Sequence, residues 1–98
     1  MKFIEITIEE FKAKQANKDL FLVDVREEYE FEDHNKGGIN IPMGEILSRT
    51  EELKGHDEIY LCCASGKRSK TTAYHLCDRL DKVTIYSIQG GIKELIAN

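Results

Sequence analysis

The chain reads as an α/β protein, with a mostly parallel sheet covered by helices on both sides. Three observations carry that prediction. Apolar, strand-like runs alternate along the chain with stretches of helical spacing. The most apolar run, Leu20–Val25, is continuous, as expected of a strand covered on both faces. The stretch Ile59–Ser69 begins as a buried strand, passes a short loop containing Gly66, and leads into a helical pattern.

Phe3–Ile6 reads as a short first strand. Thr7-Ile8-Glu9-Glu10 has capping-box spacing, with Thr at the cap and Glu three residues later. Ile8, Phe11 and Ala16 would face the core from the helix that follows. Asn17-Lys18-Asp19 is a polar connection to the strand Leu20–Val25. Glu27–Asp33 reads as an acidic helix anchored by Tyr29 and Phe31. Gly37-Gly38 breaks the chain, and Ile39–Ile41 is a brief strand ended by Pro42, which lacks a donor. Met43–Leu53 is helical in pattern, with Gly55 as its cap. Glu58–Cys62 is the strand that delivers the loop. In Lys70–Leu80, residues Ala73, Leu76, Cys77 and Leu80 share one helix face, which makes Cys77 a core residue. Val83–Tyr86 is a last strand, Gly90-Gly91 a turn, and Ile92–Ala97 a closing helix.

Ninety-eight residues suit one domain, here 1–98, and 41% apolar residues suffice for a single core. A net charge of −4 disfavours a general nucleic-acid partner. The cationic cluster Lys67, Arg68, Lys70 opposes that overall sign. Three cysteines, two of them adjacent, do not form a disulfide framework, and free thiols fit a reducing compartment. The first residues lack the apolar run of a signal peptide, and no stretch approaches a membrane span. The expected location is therefore the cytoplasm, without a membrane partner.

The chemistry gathers in Cys63-Ala64-Ser65-Gly66-Lys67-Arg68-Ser69. A strand turning tightly into a helix aims backbone N–H groups that lack intrahelical partners into the turn. With the helix dipole they form an anion site. A Cys63 sulfur placed there is favoured as thiolate, and Lys67 and Arg68 push the same way. Cys62 points to the opposite face if the strand pleat continues, and reads as buried. Asp24 and Arg26 end the second strand at the same rim, since function gathers at the carboxyl ends of strands in open α/β sheets. Direct substrate contact is one reading for them; an ion pair that fixes the loops is the one adopted. His34 could act as general acid or base, but a structural hydrogen bond in the turn is preferred. No metal site is expected: the paired cysteines are too close for zinc-clamp spacing and the histidines lie far apart. No phosphate loop, dinucleotide fingerprint or serine nucleophile motif occurs, so no cofactor is expected.

Cys63 to Ser69 resembles the active-site loop of the rhodanese-like family. Leu22-Val23-Asp24-Val25-Arg26-Glu27 resembles that family's strand-end motif. His34 through Gly37 to Ile39-Asn40-Ile41-Pro42 resembles its next motif, and Gln89-Gly90-Gly91-Ile92 its closing one. The four occur in the family's order and span most of the chain. Departures stand at Asp33, Asn35, Lys36 and Leu95. The resemblance implies a three-layer fold with a five-stranded, mostly parallel sheet and the cysteine strand at its centre.

It also implies sulfur transfer. Cys63 would take the outer sulfur of a small anionic donor such as thiosulfate, becoming a persulfide. Cyanide, a thiol or a sulfur-accepting protein would then remove it. Ala64, Ser65, Gly66, Lys67, Arg68 and Ser69 would hold the donor, with Asp24 and Arg26 in support. Two alternatives stand beside this reading. A non-catalytic binding module would use the fold without the chemistry. A cysteine phosphatase or arsenate reductase would use Cys62, from which Arg68 follows after five intervening residues; from Cys63 there are four.

Overall fold

The computed structural model describes residues 3–91. Its elements are β1 (Phe3–Ile6), α1 (Ile8–Gln15), β2 (Leu22–Asp24), α2 (Glu28–Asp33), β3 (Ile39–Asn40), α3 (Met43–Ile46), a 3-10 turn (Thr50–Glu52), β4 (Glu58–Cys62), α4 (Lys67–Leu76) and β5 (Thr84–Ile88). The strands form one five-stranded sheet in the order β1-β5-β4-β2-β3. Every pairing is parallel, and the cysteine strand β4 lies at the centre.

A central parallel strand is buried on both faces, so its alternate side chains serve two different cores. Ile59, Leu61 and Cys63 pack on one face with Ile46 of α3 and Ala73 and Leu76 of α4. Tyr60 and Cys62 pack on the other with Ile8 and Phe11 of α1. The helices thus lie on both sides of the sheet. The capping box of α1 closes as its sequence predicts: the Glu10 N–H donates to Thr7 Oγ1 at 3.0 Å, and the Thr7 N–H to Glu10 Oε1 at 2.8 Å.

Several elements differ from expectation. Ala16 is exposed at the end of α1, beyond the turn that meets the sheet. The α2 helix buries no residue: Tyr29 is 72% exposed and Phe31 only half-buried. Met43–Leu53 is not one helix. The Ser48 hydroxyl donates to the Glu45 carbonyl at 2.8 Å, the kind of local bond by which serine competes with helix continuation, and a 3-10 turn follows. Gly55 is not a left-handed cap; its φ is not positive. The α4 helix starts three residues earlier than Lys70 and ends at Leu76, although Leu80 is buried with the same face. The last strand is Thr84–Ile88 rather than Val83–Tyr86. The expected helix Ile92–Ala97, with Leu95, lies outside the described residues.

Candidate functional site

Parallel pairing sets the carboxyl ends of β2 and β4 side by side, with Asp24 opposite Cys62. The Val25 N–H continues the ladder by donating to the Cys62 carbonyl at 2.9 Å. The residues that leave these two strands therefore share one rim. Cys63 is the first residue beyond β4, and α4 begins four residues later. The turn between them depends on Gly66, which holds φ +95° as the residue preceding the helix. That left-handed conformation is costly for any residue with a side chain. A second glycine supports the loop from outside. Gly91, at φ +77°, lies so near the Ala64 carbonyl that a side-chain carbon there would overlap it.

The loop wraps around the sulfur. The Gly66 N–H donates to Cys63 Sγ at 3.0 Å and the Ser69 N–H at 3.3 Å. Ser69 is the third residue of α4, so the sulfur accepts the bond that an N-cap oxygen ordinarily takes. The Ser69 hydroxyl lies 3.7 Å from Sγ, and its oxygen is 3.1 Å from the Gly66 carbonyl and 3.0 Å from Ser87 Oγ. Ser69 and Ser87 are both buried, so this pair of hydroxyls is satisfied internally. Cys63 itself is fully covered, while Ser65 and Lys67 on the loop are exposed.

Cys62 has no share in this arrangement. It packs with Tyr60, Tyr86 and Ile88 on the opposite face, where burial pushes its thiol well above the usual range, with the nearby Asp24 charge adding to the effect. The spacing from Cys62 to Arg68 therefore does not converge on one pocket. Cys77 is buried on the α4 face, as its spacing predicts.

The cations at the rim are mostly engaged. Asp24 is fully buried and binds Arg26 through Nε at 3.0 and 3.1 Å and through Nη2 at 2.8 Å. The Arg26 N–H also donates to Asp24 at 3.0 Å, and its guanidinium reaches the His34 carbonyl. His34 thus contributes its backbone, while its side chain is 72% exposed beside Asp33. Arg68 forks onto Glu30 of α2, with Nη1 at 2.8 Å and Nη2 at 3.0 Å. This hydrogen-bonded pair holds the Glu30 carboxyl at about 2, well below the usual carboxylate range. Lys70 sits 3.6 Å from Glu5. Lys67 has no ion-pair partner among the described residues.

Sequence reasoning missed Glu30 and Ser87. Both meet the loop across long separations, and neither belongs to a local motif. Ser87 carried a faint signal, as the one small polar residue within the otherwise large apolar and aromatic run Ile85–Ile88. Among the described residues no group of three or more His, Cys, Asp or Glu could hold a metal ion, and no helix is long and apolar enough to cross a membrane. A cavity of about 340 Å³ lined by Phe21, His56 and Tyr60 opens at the opposite end of β4, away from Cys63. Its buried edge is internally satisfied, since Glu58 accepts from Tyr60 at 3.0 Å and Tyr86 at 3.2 Å.

Two proteins of Bacillus subtilis (strain 168) are similar to this chain. "Putative sulfur carrier protein YrkF" is 45% identical over 71 residues, which cover 70% of this chain and only 38% of YrkF. "Putative sulfurtransferase YtwF" is 32% identical over 94 residues, covering 94% of this chain and 89% of YtwF. The rhodanese-like domain protein from Staphylococcus aureus superposes with a TM-score of 0.77 at 28% identity, over 93% of this chain and 87% of that one. The model of the rhodanese-like domain matches residues 7–98. With the five-stranded parallel sheet and the cysteine loop at its central rim, that match makes the chain a member of the rhodanese-like domain family.

Proposed function

We propose that the protein is a sulfurtransferase that carries a sulfane sulfur as a persulfide on Cys63. The observation that supports this most is the pair of backbone N–H groups, from Gly66 and Ser69, pointed at Cys63 Sγ. Donors placed there stabilise negative charge on sulfur both in the thiolate and in the persulfide that replaces it. With thiosulfate, the thiolate attacks the outer sulfur, a new S–S bond forms, and sulfite leaves with the electron pair of the broken bond. An acceptor thiol or cyanide then takes the outer sulfur and returns the thiolate, giving ping-pong kinetics. Lys67 and the loop N–H groups hold the donor. The covered sulfur is reached when the segment Ser65–Lys67, exposed at Ser65 and Lys67, moves aside, a local opening that leaves the sheet intact.

The relatives named for sulfur carriage and sulfur transfer agree with this reading in class. The test is a thiosulfate assay with cyanide as acceptor, joined to intact-mass analysis. Turnover with a one-sulfur mass gain on the Cys63 peptide is expected. A chain that gains no sulfur from thiosulfate or from an organic persulfide is instead a binding module.

A further inference from the structure

The loop sequence places two adjacent cations, Lys67 and Arg68, beside the nucleophile, yet the structure pairs only Arg68 among the described residues. Arg68 is bound by both oxygens of Glu30, a residue of another helix. The pair is partly exposed, with side-chain exposures of 35% and 23%. Arg26 is likewise held by Asp24. The arginine charges of this rim are thus matched by carboxylates before any donor arrives. A free dianion gains less from a guanidinium already bound in this way, and it also meets the field of Glu30.

We infer that Glu30 is a specificity-determining residue of the Cys63 site, disfavouring free dianionic donors and favouring sulfane sulfur of lower charge, such as an organic persulfide. This rests on the sulfurtransfer reading above. The Cys63 thiolate attacks the outer sulfur of R–S–SH, a new S–S bond forms, the donor's own S–S bond breaks, and its electron pair leaves on the R–S sulfur. The proton of the outer sulfur goes to that R–S sulfur, which leaves as the thiol, so Cys63 ends as the anionic persulfide and no external oxidant or reductant is needed.

Glu30→Gln is the informative substitution, because Glu30 Oε1 also accepts from the Glu27 N–H at 3.0 Å and a Gln carbonyl retains that bond. The first readout needs no sulfur transfer. Iodoacetate and iodoacetamide share a leaving group and differ by one charge, so their relative rates on Cys63, read by peptide mass, report the local potential. Glu30→Gln should raise the iodoacetate-to-iodoacetamide ratio by about three- to tenfold at low ionic strength, and less in high salt. Glu30→Asp should stay near the parent ratio, and Glu30→Gln with Arg68→Gln should lose the gain. The second readout is KM for thiosulfate, which should fall by a similar factor in Glu30→Gln. An unchanged ratio in Glu30→Gln, or a gain that survives removal of Arg68, overturns the inference. If the ratio shifts while the parent transfers sulfur from neither donor class, the electrostatic assignment stands and the sulfurtransfer reading falls.

Discussion

Cys62 and Cys63 differ by one step along a strand, and the structure gives them opposite surroundings. Both are fully buried, so exposure does not separate them. Neighbours do. Cys62 lies among Tyr60, Tyr86, Ile6 and Phe11, and burial there penalises its charged form. Cys63 lies beneath a loop whose N–H groups from Gly66 and Ser69 point at its sulfur. A buried thiol is inert or reactive according to the dipoles around it, and in a pleated strand a single residue step decides which set of dipoles it meets.

The strongest way to break that contrast is to remove each sulfur in turn. Cys63→Ser should abolish persulfide formation from thiosulfate, while Cys62→Ser retains it; intact mass after incubation decides. A persulfide that persists in Cys63→Ser and vanishes in Cys62→Ser would reverse the assignment.

The next effect sharpens the contrast through the backbone. Gly91 presses on Ala64 in the Cys63 loop, whereas Gly55 faces open space. Gly91→Ala should cost roughly 2–4 kcal/mol in a denaturant melt, from backbone strain and overlap together. Gly55→Ala should be close to neutral. Equal costs would show that the loop tolerates displacement.

Cys62→Ser is expected to lower stability by roughly 1–3 kcal/mol, from a hydroxyl left unmatched in an apolar cluster. A smaller loss would mean that the Cys62 side of the sheet is less dry than its neighbours indicate.

The smallest effect concerns the ion pair between Glu30 and Arg68, the residue before Ser69. The Glu30 carboxyl sits at about 2 against an ordinary 4.5, so its stabilising contribution is fully present above the ordinary value and is lost as pH falls through about 2. Glu30→Gln should therefore lower stability by under about 1 kcal/mol at neutral pH, the modest figure set by partial exposure. That difference should close as the pH approaches 2 in acid titrations of both chains.

The parts of this molecule legible in the sequence are those governed by short-range geometry. The Thr7–Glu10 capping box, the alternation of Cys62 and Cys63, and the shared face of Ala73, Leu76, Cys77 and Leu80 depend on residues within a turn or a pleat of one another. The strand Glu58–Cys62 and the rim position of the loop follow from apolar continuity and the glycine after it. What was not legible depends on partners distant in the chain. Glu30 meets Arg68 across 38 residues, and Ser87 meets Ser69 across 18. The break after Ile46 was also hidden, because the apolar spacing of Met43–Leu53 persists through a segment where Ser48 bonds back to Glu45.

The sulfur of Cys63 fills the place of an N-cap oxygen at α4, and this joins its chemical load to the helix itself. Any group added to Sγ enters the hydrogen-bond terminus of ten residues of secondary structure. The amide protons of Gly66 and Ser69 are consequently built-in reporters. Their solvent-exchange protection and their resonance positions register whether the sulfur is bare, sulfur-loaded or blocked, without any probe attached to the protein.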